Sequence, residues 1–322
     1  MLLRTTDATP MGGSSSTGVG GSGNQGMGGG TLSMSTKTSP FCKLTWGQTW
    51  RGNSQEVLST GNTAYPVGLG MMSIWAGYET DNNLNSAIRS MLVALSPGGD
   101  TALQGLTPVL YAYFIPFKAE VKDQLNKNCD VTATTLNICT DGATWIRNNR
   151  DYLRNTYSNY AAQIASIWGK TSPLVWLFEP DFNNYIRQSQ NEPLSLDELN
   201  NVALDLVGTV KAQLPNAIIS YYAAASLNDF AEYFGALNLS LVDLVNVTGS
   251  AQYDYFFSGN SGVYPASTYR RLHEVTGTAS VDVMNQRISD GVVAVQMETG
   301  TSTMQERIDT ISSQLTPLNC GK

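Results

Sequence analysis

Two acidic residues close an apolar run at Pro173-Leu174-Val175-Trp176-Leu177-Phe178-Glu179-Pro180-Asp181. The run reads as a buried strand that stops on Glu179 and Asp181, with a proline between them. An ionised carboxylate is costly to bury without a partner, and catalytic groups in α/β folds gather at strand ends. If the strand stays regular, Val175, Leu177, Glu179 and Asp181 share a face. A second run, 291–298, ends on Glu298 before Thr299-Gly300, with Ala294, Gln296 and Glu298 on one face and Val293, Val295 and Met297 on the other. Two carboxylates at the ends of different strands suit cleavage of a glycosidic bond. One protonates the leaving oxygen while the other activates water or attacks directly. Glu79, after Ile74-Trp75-Ala76-Gly77-Tyr78, is a further acid at a strand end. The structural alternative for each is a helix cap or an ion pair.

Trp75, Tyr113, Tyr222, Asn246 and Gln296 lie at or just beyond strand ends, as do Tyr253 and Tyr255. Sugar rings present apolar C–H faces to aromatic rings and hydroxyls to amides, so the first five are candidate substrate-binding residues. Core packing competes for each of them, and Trp145, Trp168 and Trp176 are assigned to the core. The sequons at Asn238 and Asn246 carry little weight, the second falling in a strand.

Composition narrows the function classes. Charged residues make up 14% of the 322, against roughly 25% in typical soluble proteins. Asn, Ser, Thr, Gly and Tyr take their place, a surface suited to secretion and to neutral polymers. A formal charge of −7 argues against nucleic acid, which needs basic patches. The single histidine, His273, is read on a helix near 267–275. An esterase of the Ser-His-Asp or Cys-His kind would have to use it as its base. A zinc site built on several histidines is impossible and no CxxC pair replaces it, so neither metal nor cofactor is expected. No apolar run reaches the roughly 18 residues of a membrane span. The first residues lack the apolar core of a signal peptide, so an exported protein would have its signal removed or outside this sequence. Cys42, Cys129, Cys139 and Cys320 form an even set that suits disulfides in an oxidising compartment. Of three possible connectivities, Cys129–Cys139 with Cys42–Cys320 is favoured.

Residues from about Thr9 to Thr38 are almost all Gly, Ser, Thr, Asn and Met. Such a segment cannot bury enough apolar surface to offset its ordering entropy. Residues 1–40 are therefore expected to form a flexible tether, of the kind that joins a catalytic domain to a binding module or anchor. From Phe41 on, apolar strands alternate with amphipathic helices. Strands are expected at 67–78, 108–117, 173–181, 217–225, 241–248 and 291–298. Helices are expected along Leu84, Ala87, Ile88, Met91, Leu92 and Leu95, over about 144–168, after the capping box Ser195-Leu196-Asp197-Glu198, near 229–237 and 267–275, and after a second capping box at Thr303. This alternation points to a parallel sheet covered by helices. The expected fold is α/β: a (β/α) barrel of seven or eight strands, complete or not, as one domain over residues 41–322. An open doubly wound sheet is the alternative.

Two resemblances bear on this reading. Leu174–Asp181 resembles the Ile-Glu-Pro-Asp strand of glycoside hydrolase family 6, whose Asp acid motif is missing here: the corresponding run reads Tyr111-Ala112-Tyr113-Phe114-Ile115-Pro116-Phe117. Phe178-Glu179-Pro180 and Met297-Glu298-Thr299-Gly300 resemble the barrel glycosidases with a Glu acid/base ending strand four and a Glu nucleophile ending strand seven. Asn191-Glu192-Pro193 spells the same motif as that clan but sits in a loop. These resemblances imply an extracellular hydrolase of a β-linked polysaccharide, cellulose or a related β-glucan. Glu179 would be its acid, Asp181 would tune Glu179, and Glu298 would be its nucleophile or base. The rival is a catalytically silent barrel that binds glycans or builds a cell-surface layer.

Overall fold

The computed structural model describes residues 45–50, 69–127, 136–223, 243–248, 270–275, 292–297 and 309. Among the described residues there are eight strands: β1 (Thr45–Thr49), β2 (Leu69–Ala76), β3 (Thr107–Ala112), β4 (Leu174–Phe178), β5 (Ala217–Ala223), β6 (Leu244–Thr248), β7 (Arg270–Val275) and β8 (Val292–Met297). Each pairs in parallel with its neighbour in sequence, and β8 pairs with β1, so the sheet closes into a barrel. The expected (β/α) barrel is thus present, its eight described strands closed into one sheet. The tether over residues 1–40, Cys42 and the elements near 229–237 and after Thr303 lie outside the described residues, apart from helical Asp309.

Strand alternation sorts the core into two layers. Met71, Val109, Tyr111, Val175, Leu177 and Leu244 pack together inside the barrel. Their neighbours Met72, Leu110, Trp176, Phe178 and Ile219 pack outward against the helices. Those helices are α1 (Ser86–Leu95), α2 (Phe114–Asp123), α3 (Ile138–Asn148), α4 (Arg150–Trp168) and α5 (Leu196–Gln213). Their apolar stripes form as the spacing predicts: Ile88, Met91, Leu92 and Leu95 of α1 are buried. The capping box is also present, Ser195 Oγ accepting from Glu198 N–H while Glu198 accepts from Ser195 N–H. Arg147 grips the same Glu198 through two nitrogens, each at 2.8 Å. No described helix is long and apolar enough to cross a membrane.

Four expectations fail. The apolar run 108–117 is a strand only to Ala112; Phe114 begins α2, with Pro116 in the first turn, where its missing N–H leaves no helical bond unmade. The helix expected over 144–168 is two helices, broken at Asn149, whose amide donates to Trp145 O. The segment Arg270-Arg271-Leu272-His273-Glu274-Val275 is strand β7, not a helix, and His273 lies in it. Thr45–Thr49, where the sequence predicts no element, is β1.

Candidate functional site

The carboxyl ends of β2, β3 and β4 are joined by one set of aromatic and acidic side chains. Gly77, just past β2, has φ +123°, and a Cβ there would lie 2.2 Å from Tyr113 O. Only glycine lets the two strand ends come so close. Trp75, next to last in β2, is 37% exposed and stacks on Tyr111 with centroids 5.0 Å apart. Its edge meets Tyr78 at 6.5 Å and Tyr113 at 5.8 Å, and Phe117 packs on both of those rings. Tyr78 is 51% exposed. Tyr113 in turn donates its hydroxyl to Asp181 Oδ2. The exposed aromatic shelf and the acids of β4 therefore share Tyr113.

Glu179 directly follows β4 with φ 31°, a left-handed conformation that is uncommon for a residue with a side chain and disfavoured before proline. This turn breaks the alternation on which a shared face of Val175, Leu177 and Glu179 depends. Val175 and Leu177 do line the barrel interior. Glu179 instead sends Oε1 to the first two amides of α2, Phe114 N–H at 2.8 Å and Ile115 N–H at 3.1 Å, and to the hydroxyl of Tyr157 on α4. Oε2 is buried and has no hydrogen-bond partner, and the residue is 1% exposed. Burial dominates the electrostatics and pushes the carboxyl up to about 8, against the opposing pull of Tyr157 and the two amides; the Asp181 charge adds to the rise. The group is thus a buried acid that is mostly protonated at neutral pH. Asp181 is partly exposed. Burial raises its pKa too, opposed by the Tyr113 hydrogen bond and the Arg187 charge.

Glu79 has a different role. Oε2 accepts from Gly77 N–H (3.0 Å) and Tyr160 O–H (2.7 Å), and Oε1 accepts from the Asn85 amide (2.7 Å). The fully buried Lys118 donates to Glu79 O, Asp81 O and Tyr160. With both oxygens engaged, Glu79 braces the loop after β2 against α2 and α4.

The other expected site residues are only partly visible. Asn246 lies in β6 with no exposure, and neither its Oδ1 nor its Nδ2 has a hydrogen-bond partner. The same holds for Ser220 Oγ on β5. A buried Asn246 cannot accept a glycan, which removes that sequon. Tyr222 is in register with Asn246, and Gln296 with Gly47 and Glu274; the side chains of both lie outside the described residues. Glu298 is outside them as well, one residue past β8. The strand that leads to Glu298 is therefore the eighth, whereas the resemblance sets it at the end of strand seven. Strand seven carries its own acid, Glu274, its next-to-last residue, in register with Thr248 and Gln296. Sequence reasoning misses Glu274 because the segment around it reads as a helix. Two signals could have found it: the β-branched Val275 closing the run, and the need of a closed barrel for one more strand. Tyr157 is missed because its partner is 22 residues away in sequence.

Asn191-Glu192-Pro193 is in a loop, with an exposed Glu192 side chain. Cys139 is disulfide-bonded, while Cys42, Cys129 and Cys320 lie outside the described residues. Among the described residues no cluster of three His, Cys, Asp or Glu could hold a metal.

No protein-family profile and no curated protein sequence matches the chain. Among solved structures, a GH26 β-mannanase from Bacteroides ovatus has a TM-score of 0.55 at 12% identity, over 86% of this chain and 89% of that one. A β-mannanase from a symbiotic protist of the termite Reticulitermes speratus scores 0.46 at 11% identity, over 81% of each chain, too low to add weight. At such identity the likeness speaks for the fold. The described strands form a closed (β/α)-type barrel that distantly resembles, in fold, a barrel glycosidase.

Proposed function

We propose that this chain is a glycoside hydrolase that cleaves a β-linked polysaccharide outside the cell with a pair of carboxylates. The observation that carries the reading is Glu179: a carboxyl at the end of β4, pushed up to about 8 by burial, with one oxygen unpartnered. A general acid must hold its proton at working pH and have an oxygen from which to give it. Asp181 adjusts Glu179 through its charge, and the second carboxylate comes from Glu298 or from Glu274. Trp75, with Tyr113 behind it, supplies the stacking surface for a sugar ring, and Tyr222 and Gln296 are the further binding residues, while Asn246, fully buried, is out of reach of substrate. The similarity in fold to a β-mannanase supports the class and adds mannan to cellulose and related β-glucans as polymers to try.

Purified protein incubated with cellulose, mixed-linkage glucan, xylan and mannan, with released oligosaccharides read by mass spectrometry, tests the proposal. Product from wild type and none from Glu179→Gln supports it; no product from folded wild type on any polymer overturns it. Trp75→Ala should raise KM roughly tenfold with little change in kcat, the mark of lost uniform binding. Asn246→Leu should stabilise the fold by about 1 kcal/mol and leave polymer binding unchanged, because two buried polar atoms lose their desolvation cost. A lower Tm in that variant would show that Asn246 is instead held by the protein.

A second reading, a glycan-binding or structural barrel without catalysis, is favoured by one observation. Glu179 is almost fully enclosed and ties β4 to α2 and α4, as a purely structural residue would. Polymer binding by the wild type, unaffected by Glu179→Gln and without release of products, would establish it.

A further inference from the structure

We infer that Tyr157 is a positioning residue: together with the two leading amides of α2 it saturates Oε1 of Glu179 and so confines the exchangeable proton to Oε2. The inference rests on the reading of Glu179 as general acid and deepens it.

Donor chemistry separates the two oxygens. A backbone N–H can only donate, and Phe114 N–H and Ile115 N–H both point at Oε1, at 2.8 and 3.1 Å. Together they take up the two lone pairs that the carbonyl oxygen of a neutral carboxyl offers. A proton on Oε1 would have to displace one of them and leave a buried amide unpaired, which is costly. The Tyr157 hydroxyl adds a third donor to the same atom. Burial first, and then the adjacent Glu179, raise the pKa of Tyr157 well above the ordinary phenol value, so its proton stays in place at any working pH. Oε2 carries no such bond. It is therefore the oxygen that holds the proton and the one from which the proton leaves.

Packing fixes the direction of the hydroxyl. Tyr157 is fully buried on α4, with its ring edge-on to Phe114 at 5.0 Å and against Trp176 and Phe178, each at 6.0 Å. These three rings belong to α2 and to the outward face of β4, so the fold itself aims the phenol at Glu179. The other titratable groups around the carboxyl are Asp181 beyond β4, Tyr113 at the start of α2 and Tyr185 in the 3-10 turn Phe182–Ile186. None of them bonds Oε1. Among the described residues Tyr157 is thus the one side chain that bonds Oε1, adding to the two amides that leave Oε2 free.

The test uses full-length protein with carbon-13-labelled glutamate carboxyls, the Glu179 signal being assigned by its loss in Glu179→Gln. Tyr157→Phe keeps the ring and removes one donor to the charged form, so the midpoint of the Glu179 titration should move up by about one pH unit. Replacing Tyr157 with 3-fluorotyrosine, a stronger donor, should move it down. If the protein cleaves a polymer, the basic limb of kcat/KM should follow both changes, which a merely structural tyrosine would not produce. An unmoved titration in either folded variant overturns the inference, and the fluorotyrosine protein decides if Tyr157→Phe does not fold. A displaced titration in a protein that cleaves nothing keeps the Tyr157–Glu179 coupling and sinks only the hydrolase reading.

Discussion

Glu179→Gln should reduce turnover by about two to four orders of magnitude and at the same time make the protein more stable than wild type in mild alkali. The first effect follows if the residue gives its proton to a leaving oxygen, since an amide cannot. The second follows from burial alone. The folded carboxyl titrates near 8, against 4.5 for an unperturbed one. Between those values the folded state binds more protons than the unfolded state, so stability falls as pH rises from about 4.5 to about 8 and is level beyond. At ~1.4 kcal/mol for each pH unit of that window, the penalty reaches several kcal/mol. Glutamine presents the same Oε1 to Phe114, Ile115 and Tyr157 without a charge, so the variant escapes the penalty. Urea melts of both proteins at pH 4.5, 7 and 9 give the check. The stabilities should converge at the lowest pH and separate progressively above it, because every other titrating group is common to both. Equal stability at pH 9 would mean that the carboxylate is solvated in solution. Loss of turnover without the stability gap would keep the catalytic role and remove burial as the source of the raised pKa.

Glu179 also shows how far the sequence carries. The apolar run before it marks a buried strand, and Pro180 marks where that strand stops, so the presence of an acid at the rim is legible. Its direction is not. Period-2 alternation predicts an inward side chain, but the left-handed turn at φ 31° cancels the alternation at that one residue, and backbone strain of this kind leaves no pattern in residue types. The barrel itself is legible as alternating strands and helices wherever both faces of a strand are apolar, as in β3 and β4. The signal is lost where they are not. Thr45-Trp46-Gly47-Gln48-Thr49 is too short and polar to read as a strand, although its first four residues are buried. At Phe114–Phe117 the apolar run passes from strand to helix with only Tyr113 between, and a short apolar stretch carries no period that separates the two. Charge on β7 hides that strand for the same reason: in a barrel, polar residues near the rim replace the apolar signal by which strands are recognised.

The place of β7 in the barrel governs the second large effect, because under the proposed hydrolase reading the likeness to the barrel glycosidases sets the partner of Glu179 at the end of strand seven. Ordered around the closed sheet, Glu298 follows the eighth strand and Glu274 lies at the end of the seventh. The barrel glycosidases that the Phe178-Glu179-Pro180 run resembles keep their second carboxylate at the end of strand seven. Glu274→Gln is therefore expected to cost about three orders of magnitude or more in kcat, and Glu298→Gln about tenfold or less, since loss of a nucleophile or base removes an interaction made in the transition state itself. Both variants should keep the far-UV spectrum and Tm of the wild type, and both should bind polymer. The stereochemistry of the released product then assigns the role: retention makes the partner a nucleophile about 5–5.5 Å from the acid, inversion a base roughly 6.5–9.5 Å away. If Glu298→Gln is the inactive variant, the pair spans β4 and β8, and the likeness to the strand-four and strand-seven pattern ends at Glu179. If neither substitution lowers turnover, the partner of Glu179 is Asp181, the one other carboxylate within its electrostatic reach among the described residues.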